Sequence, residues 1–402
     1  MKKAFKFRIE TSRAVEQKLE ATLDICRELY NGGLQERRDA YKLAGKSINY
    51  HAQAIELPEI KEIRPDVGAI HSQVLQETLK RLQRAFDGFF RRIKEGSTPG
   101  YPRFKGKARY DSFTYPQGGW KLAGDKLTLS KIGSMRVRLS RSIVGKIKTV
   151  TIKRETDKWY VVFSCEVESQ AIASTGKAIA IDVNLENFYT DHTGKKVDNP
   201  KHLRKSEHKL KKAQKKLSRK KKGSSHWQRA RQKVARIHTK IKNQRKDFAH
   251  KQSRKIVNNN DLIFYENLNI AGMVHNHQLA KSISDVGWGM FFDMLDYKAA
   301  DANKLAVNVT PNSTSQSCSG CGKKVPKGLG MRWHRCPYCR LVLHRDKNAA
   351  INILARGIST LLQTGGLPVS APGGLALARL LKGEPVESSA KRLPHSFVSA
   401  TA

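Results

Sequence analysis

Cys318-Ser319-Gly320-Cys321 and Cys336-Pro337-Tyr338-Cys339, followed at once by His344-Arg345-Asp346-Lys347-Asn348-Ala349-Ala350, is the stretch on which the reading of this chain turns. The two Cys-x-x-Cys knuckles are separated by 14 residues. This is the spacing of a closed, tetrahedral four-cysteine site, in which each knuckle gives two thiolates to one ion. Nothing in the ribbon suggests an open coordination position, so one structural Zn2+ on Cys318, Cys321, Cys336 and Cys339 is expected. A redox Cys-x-x-Cys pair is the competing reading, and the presence of two pairs on a Gly/Lys/Trp-containing ribbon disfavours it. Asp346 then opens a short helix, which sets a carboxylate beside the zinc module.

Working outward, two further acids stand in comparable settings. Lys177–Asn184 is an apolar run with Asp182 at its end, and Asn187–Asp191 is its hairpin partner. Asp261–Glu266 is a second apolar run, ending in Glu266. A carboxylate at the end of a buried strand costs free energy unless it is paired or metal-bound. Hard oxygen ligands suit Mg2+, with Mn2+ as the substitute. Two such ions can hold a scissile phosphate, activate water and stabilise the leaving oxygen. Asp182, Glu266 and Asp346 are therefore read as the catalytic, magnesium-binding set of an RNase H-like domain.

Charge limits the partner. The chain has 402 residues, 39% of them hydrophobic, and a formal net charge of +41. That length allows two to four domains with proper cores. A field of that sign attracts nucleic acid, since each neutralised phosphate releases counterions. A peripheral membrane protein would need amphipathic helices with exposed Trp/Phe/Leu faces, and none is visible. A ribosomal protein would share the charge but is usually shorter and lacks the acidic cluster. No apolar run approaches a membrane span, and Met1–Arg8 reads as a strand, not a secretion signal. A cytoplasmic, nucleoid-associated protein with reduced thiols is expected, in which Cys26 and Cys165 are small buried hydrophobes.

The elements are read as follows. Residues 4–9 form a strand, and residues 12–44 a helix on the Val15, Leu19, Leu23, Ile25, Leu29, Tyr30 and Leu34 face. A second helix covers about 68–95, with Phe86, Phe89 and Phe90 inward, and ends in the breaker Gly96–Arg103. Residues 111–168 change to period two and complete, with the first strand, a small β-barrel or sandwich interrupted by the helical block. Residues 201–255 carry 23 Lys/Arg against Glu207 and Asp247. They are expected to form two antiparallel helices joined at Lys222–Ser225 that contact nucleic acid. Ser284–Leu305 reads as one helix with Trp288, Phe291, Phe292, Leu295, Tyr297 and Leu305 as core. Val307–Val309 reads as a strand, and Asn348–Gly357 as a helix. Beyond about Gly365 the Gly/Pro/Ser/Ala-rich tail is expected to be flexible.

The order of motifs resembles the TnpB family, transposon-encoded proteins related to type V CRISPR effectors. The residues that carry the resemblance are Ile181-Asp182, Leu217–Ser224, Tyr265-Glu266-Asn267-Leu268-Asn269, Ser282-Ile283-Ser284-Asp285, Thr314–Gly322 and Arg345–Ile353. It extends to Tyr30-Asn31, Arg84–Arg92, Gly100-Tyr101-Pro102-Arg103-Phe104 and Lys158-Trp159-Tyr160, and so covers roughly residues 1–358. The resemblance implies an α/β multidomain protein. A wedge β-barrel (1–10 and 105–172) holds an inserted helical recognition lobe (11–104). A RuvC nuclease domain (173–310 and 342–360) carries the basic helical hairpin (201–258) and a zinc ribbon insertion (311–341), and a tail follows (361–402). It implies an RNA-guided endonuclease of a transposon: guide RNA from the transposon end pairs with one strand of double-stranded target DNA, and the protein reads a short flanking motif. It further implies a monomeric ribonucleoprotein in a prokaryotic host. Tyr50, Gln76 and Thr114 fall where the family contacts the flanking motif. Arg219, Lys220, Lys221 and Lys222 lie in the basic block, and Arg345 would approach the scissile phosphate.

Two departures stand near the acids: Asn184 where members often have Gly, and His344 where an acid is frequent. Asn tolerates unusual backbone angles, so the turn after Asp182 remains possible. Two readings compete with a guided nuclease. A conventional RNase H-like transposase would read DNA ends itself, and no convincing helix-turn-helix is visible. An RNA-guided repressor would differ in losing the acids, which are intact here.

Overall fold

The structure is a computed structural model in which residues 1–168, 171–328, 330–365 and 373–381 are described. Two compact units divide at Glu168 and Ser169.

In the first unit, β1 (Lys2–Glu10) leads into α1 (Arg13–Ala44). Ser12 caps α1 by accepting from Val15 N at 3.3 Å, and Gly45 closes it in the left-handed conformation at φ 64°. Leu19, Leu23, Cys26, Tyr30 and Leu34 recur every three or four residues, and all are buried. The short helices α2 (Tyr50–Ile55), α3 (Leu57–Ile63) and α4 (Pro65–Gly68) precede α5 (Ser72–Lys94). The strands are β2 (Ser112–Tyr115), β3 (Trp120–Ala123), β4 (Lys126–Leu129), β5 (Gly133–Arg138), β6 (Lys146–Glu155) and β7 (Lys158–Glu166). They form one sheet with β1 in the order β2-β6-β7-β1-β5-β4-β3. β1 therefore sits in mid-sheet although the helices separate it from its partners in sequence. The Tyr115 hydroxyl, at the end of edge strand β2, donates to Ser130 O at 2.9 Å, so the sheet curls toward its far side. Helices and sheet share one core, which includes Cys26 and Cys165. Phe90, expected inward, is 59% exposed.

The second unit is built on a five-stranded sheet. β8 (Ala178–Asp182), β9 (Asn187–Asp191) and β10 (Lys196–Asp198) form an antiparallel meander. α6 (His202–Ser218) and α7 (Ser225–Asn259) fold back on each other through Leu210, Ala213, Ile237 and Ile241. β11 (Leu262–Glu266) pairs in parallel with β8. After α8 (Ile270–Met273), α9 (His277–Val286) and α10 (Trp288–Asp301), β12 (Leu305–Val309) pairs in parallel with β11. The final order is β10-β9-β8-β11-β12. The cysteine module contains β13 (Trp333–Arg335) and β14 (Val342–His344), after which α11 (Arg345–Gln363) and α12 (Gly374–Leu381) follow.

Period two decides which side of this sheet each residue serves. Ile181, Ile263 and Tyr265 pack toward α7, α9 and α10. Ala178, Ala180, Leu262 and Phe264 pack toward α11 and α12. Alternation then assigns Asp182 and Glu266 to the α11 side. Gly357 lets α11 approach closely: a Cβ there would lie 2.0 Å from Phe264 Cδ1.

Two expectations are corrected here. Residues 284–305 are not one helix. Gly287 adopts φ 72° and divides α9 from α10, Tyr297 is 41% exposed, and Leu305 belongs to β12. Composition predicts a flexible tail beyond residue 361, but α11 runs to Gln363 and 374–381 is helical. Leu377 and Leu380 are buried against the sheet, each stabilising the segment by roughly 2 kcal/mol. Residues 366–372 and 382–402 lie outside the described residues. Among the described residues, no helix is long and apolar enough to cross a membrane.

Candidate functional site

The register of β8 against β11 runs to Ile181↔Tyr265, one residue short of both Asp182 and Glu266. Two adjacent parallel strands thus end together, each in an acid. Asp346 lies in the first turn of α11, beside them on the same side of the sheet. Glu266 and Asp346 are buried. The Thr314 hydroxyl donates to Glu266 Oε1. Asn184 Nδ2 donates to Asp346 Oδ2 at 3.0 Å, while Asn184 Oδ1 accepts from Asn187 N at 2.7 Å. The His344 ring caps α11, with Nδ1 3.4 Å from the Asp346 amide and 3.8 Å from its Oδ2. Both departures noted in the sequence therefore converge on one carboxylate.

Burial raises the Asp182 pKa well above the ordinary value, and the negative charges of Glu266 and Asp346 raise it further. Arg345 opposes this, so its charge is felt at the site. Burial also raises Glu266, against the Thr314 hydrogen bond and the charge of Arg356. The Arg345 guanidinium is turned to the ribbon side, donating to Gly328 O at 3.3 Å and Ser315 Oγ at 3.5 Å.

The four cysteines form a second centre. Their sulfurs all lie within 4.8 Å of one another, with Cys318–Cys339 at 3.5 Å and Cys321–Cys336 at 3.6 Å. Sulfurs bound tetrahedrally to one zinc at the usual bond length would stand about 3.8 Å apart, so the donor set fits. Gly320 N donates to Cys318 Sγ at 3.4 Å, as an N–H turned inward by the knuckle does.

The sequence did not assign the device that joins the two centres. Asn348 and Asn352 lie one turn apart on α11. Asn348 Nδ2 donates to Ser317 O at 2.8 Å, and its Oδ1 accepts from Ser319 N at 3.0 Å. Asn352 Nδ2 donates to Thr314 O at 2.7 Å and Ser317 O at 2.8 Å. These bonds hold the turn leading into the first knuckle against the helix that carries Asp346. The signal was present: a fully buried asparagine in an apolar helix face must be hydrogen-bonded.

Arg219, Lys220, Lys221 and Lys222 are exposed in the turn between α6 and α7. Asp285 anchors the base of that hairpin, accepting from Leu203 N and pairing with Arg245 at 2.8 Å. In the first unit, Gln76 is exposed on α5. Tyr50 is half-buried under Lys80, whose Nζ lies 5.3 Å from its ring, and the Thr114 hydroxyl pairs with that of Thr151 at 2.8 Å. Packing and strand pairing thus already occupy Tyr50 and Thr114.

Comparison with known proteins is consistent along the chain. Residues 162–277 match the IS605 OrfB family, described as a probable transposase, and residues 288–353 match the Cas12f1-like TNB domain. Residues 1–46 match a family described as a helix-turn-helix domain, but here they form a strand and one unbroken helix. A putative RNA-guided DNA endonuclease of Streptomyces pristinaespiralis is 34% identical over 89% of this chain and 90% of its own length. The putative RNA-guided DNA endonuclease InsQ of Escherichia coli K12 is 31% identical, over 89% of this chain and 93% of its own. The solved structure of the mini-RNA-guided endonuclease CRISPR-Cas phi3 superposes with a TM-score of 0.50 at 10% identity, covering 92% of this chain and 94% of that one.

Proposed function

This chain belongs to the TnpB family, and on that premise we propose that it is the RNA-guided DNA endonuclease of a transposon, hydrolysing phosphodiesters at Asp182, Glu266 and Asp346. The observation that carries the reading is strand parity. β8 and β11 end side by side in acids on the side covered by the helix that begins with Asp346. The strand order, an antiparallel meander continued by two parallel strands, is that of an RNase H-like sheet, and supports calling this half a RuvC-like domain. The seven-stranded sheet of the first unit would be the wedge, and its helices the recognition lobe.

The donor set fits hard divalent ions. All three groups offer carboxylate oxygens, and burial with the neighbouring negative charges raises the Asp182 pKa, a cost that a bound cation would offset. Two Mg2+ ions, or Mn2+, would supply charge neutralisation, water activation and stabilisation of the leaving oxygen. Asn184 holds one oxygen of Asp346. Arg345, whose charge is felt at Asp182, is the candidate to approach the scissile phosphate. Zn2+ on the four cysteines has a structural role. The exposed Arg219–Lys222 turn takes phosphates, and Tyr50, Gln76 and Thr114 are candidates for the flanking DNA motif. The working form is a particle of one protein and one guide RNA, acting on chromosomal DNA in a prokaryotic cytoplasm.

The test is expression with the native downstream DNA, followed by sequencing of the co-purified nucleic acid. One defined RNA running past the transposon end is expected, and the particle should cut a plasmid bearing the matching target. Random, salt-sensitive nucleic acid alone would overturn the guided reading.

A further inference from the structure

α5 ends in rings that find no core. Phe86, Phe89 and Phe90 join Tyr101, from the segment after the helix, in one ring cluster. Phe86 and Phe90 stack at 6.4 Å between centroids, and Tyr101 meets Phe86 edge-on at 5.6 Å and Phe89 at 5.3 Å. Phe86 is buried and roots the cluster, whereas Phe90 is 59% and Tyr101 45% exposed. Ile93, one turn on, is 49% exposed. The segment that presents Tyr101 is tied down, since Arg92 Nη2 donates to Gly100 O at 3.0 Å and Asn31 bonds Lys105 at both its amide and its carbonyl. The rings are thus held outward on fixed backbone. They are not a disordered loop end.

An apolar patch held open to water is an aggregation liability unless something covers it. Its surroundings say what. Between Arg84 and Lys105 there are six Lys/Arg against Asp87 and Glu95. Glu95 lies 3.9 Å from Arg91 on the exposed face. Fixed aromatic faces inside a basic field are what unpaired nucleotides require, because every base has a π-face and every linkage a phosphate. A second protein copy would bring its own positive field to the same place.

We propose that this ring cluster is a stacking platform for unpaired nucleotides of the guide RNA. The source is the RNA and not target DNA, because target arrives only transiently while the patch exists at all times. A resident polymer alone keeps it covered in the resting particle. The inference rests on the guided reading above but adds a site, a ligand chemistry and a register: Phe90 and Tyr101 each take one base, and the arginines beside them take phosphates.

The experiment compares the purified ribonucleoprotein with Phe90→Ala, Tyr101→Ala and the double variant, and measures RNA dissociation against salt. Both side chains are largely exposed, so folding should survive, and Phe90→Trp serves as the ring-preserving control. Each alanine is expected to weaken RNA binding about tenfold, with an unchanged salt slope because stacking releases no counterions. Phe90→Trp should restore affinity. Arg91→Ala should instead lower the slope by about one. Ultraviolet crosslinking should join the peptide holding Phe90 or Tyr101 to an RNA nucleotide. Unchanged RNA affinity in the double variant overturns the proposal. So does a loss confined to target-DNA binding, or a change of mass indicating that a second copy covered the patch. Failure of the guided reading itself would look different: no defined RNA in the parent particle.

Discussion

The two candidate metal centres of the second unit differ in how far the chain assembles them without an ion. The cysteine sulfurs already lie within 4.8 Å of one another. The carboxylates of Asp182, Glu266 and Asp346 converge on one side of the sheet, near enough for the charges of Glu266 and Asp346 to be felt at Asp182. The difference follows from charge. The sulfurs exchange hydrogen bonds with each other and with knuckle amides, which offsets the cost of gathering them. Three acids in a buried site repel, which is why Asp182 is driven toward its neutral form. The zinc site is thus arranged by local backbone, while the acidic site is arranged by tertiary packing and left to its ions to complete.

Removing one acid is the strongest way to break the comparison. Asp182→Ala, Glu266→Ala or Asp346→Ala should abolish detectable cleavage while RNA and target DNA still bind, as read by a cleavage assay beside a mobility shift. Cleavage at the parental rate would sink the assignment. Next in size, Cys336→Ser should reduce bound zinc from about one per chain toward none and melt the ribbon, because metal binding there is coupled to folding. Elemental analysis and limited proteolysis report the two effects, and a full zinc content would refute the four-cysteine site. Since Asn348 and Asn352 bind the turn before the first knuckle to α11, the same variant should also slow cleavage.

Asn184→Gly sharpens the contrast by removing the amide nitrogen that holds Asp346, together with the amide oxygen that accepts from Asn187 N in the turn. It should raise the Mg2+ needed for half-maximal cleavage roughly tenfold, with RNA binding intact, since losing a partner that orients a metal ligand typically costs that much. An unchanged Mg2+ requirement would show that Asn184 serves only the turn.

The smallest effect concerns a third buried charge, which has neither ion nor acid. Lys298 Nζ donates to His250 O at 2.8 Å and Ser253 Oγ at 2.6 Å, and burial lowers its pKa to about 8. Between pH 8 and the ordinary lysine value the unfolded chain binds a proton that the folded chain has released. Its contribution to stability therefore rises with pH in that window, by about 3 kcal/mol at most. Against the parent, Lys298→Met should flatten that rise in denaturant unfolding of the second unit. Parallel curves would show that the ammonium is not desolvated.

Much of this was legible in the chain. Cys318, Cys321, Cys336 and Cys339 were readable because a zinc knuckle is local, and the three acids because Asp182 and Glu266 end apolar runs while Asp346 opens a helix beside the knuckles. The α9–α10 break was not: Trp288, Phe291 and Leu295 continue a helical period across Gly287, and only the left-handed backbone there divides it. Phe90 was misread because periodicity reports the face a residue shares. It does not say where the partner surface ends.

By itself, then, the sequence determined the strands, the basic hairpin, the cysteine ribbon and the identity of the three acids, all of which depend on residue type and short spacing. Tertiary structure alone decided that β1 would lie between β5 and β7, that Asn184 would meet Asp346, and that 374–381 would be a packed helix. Each of these joins segments far apart in the chain. Such contacts are set by which surfaces remain to be covered once local structure has formed, and no local pattern encodes them.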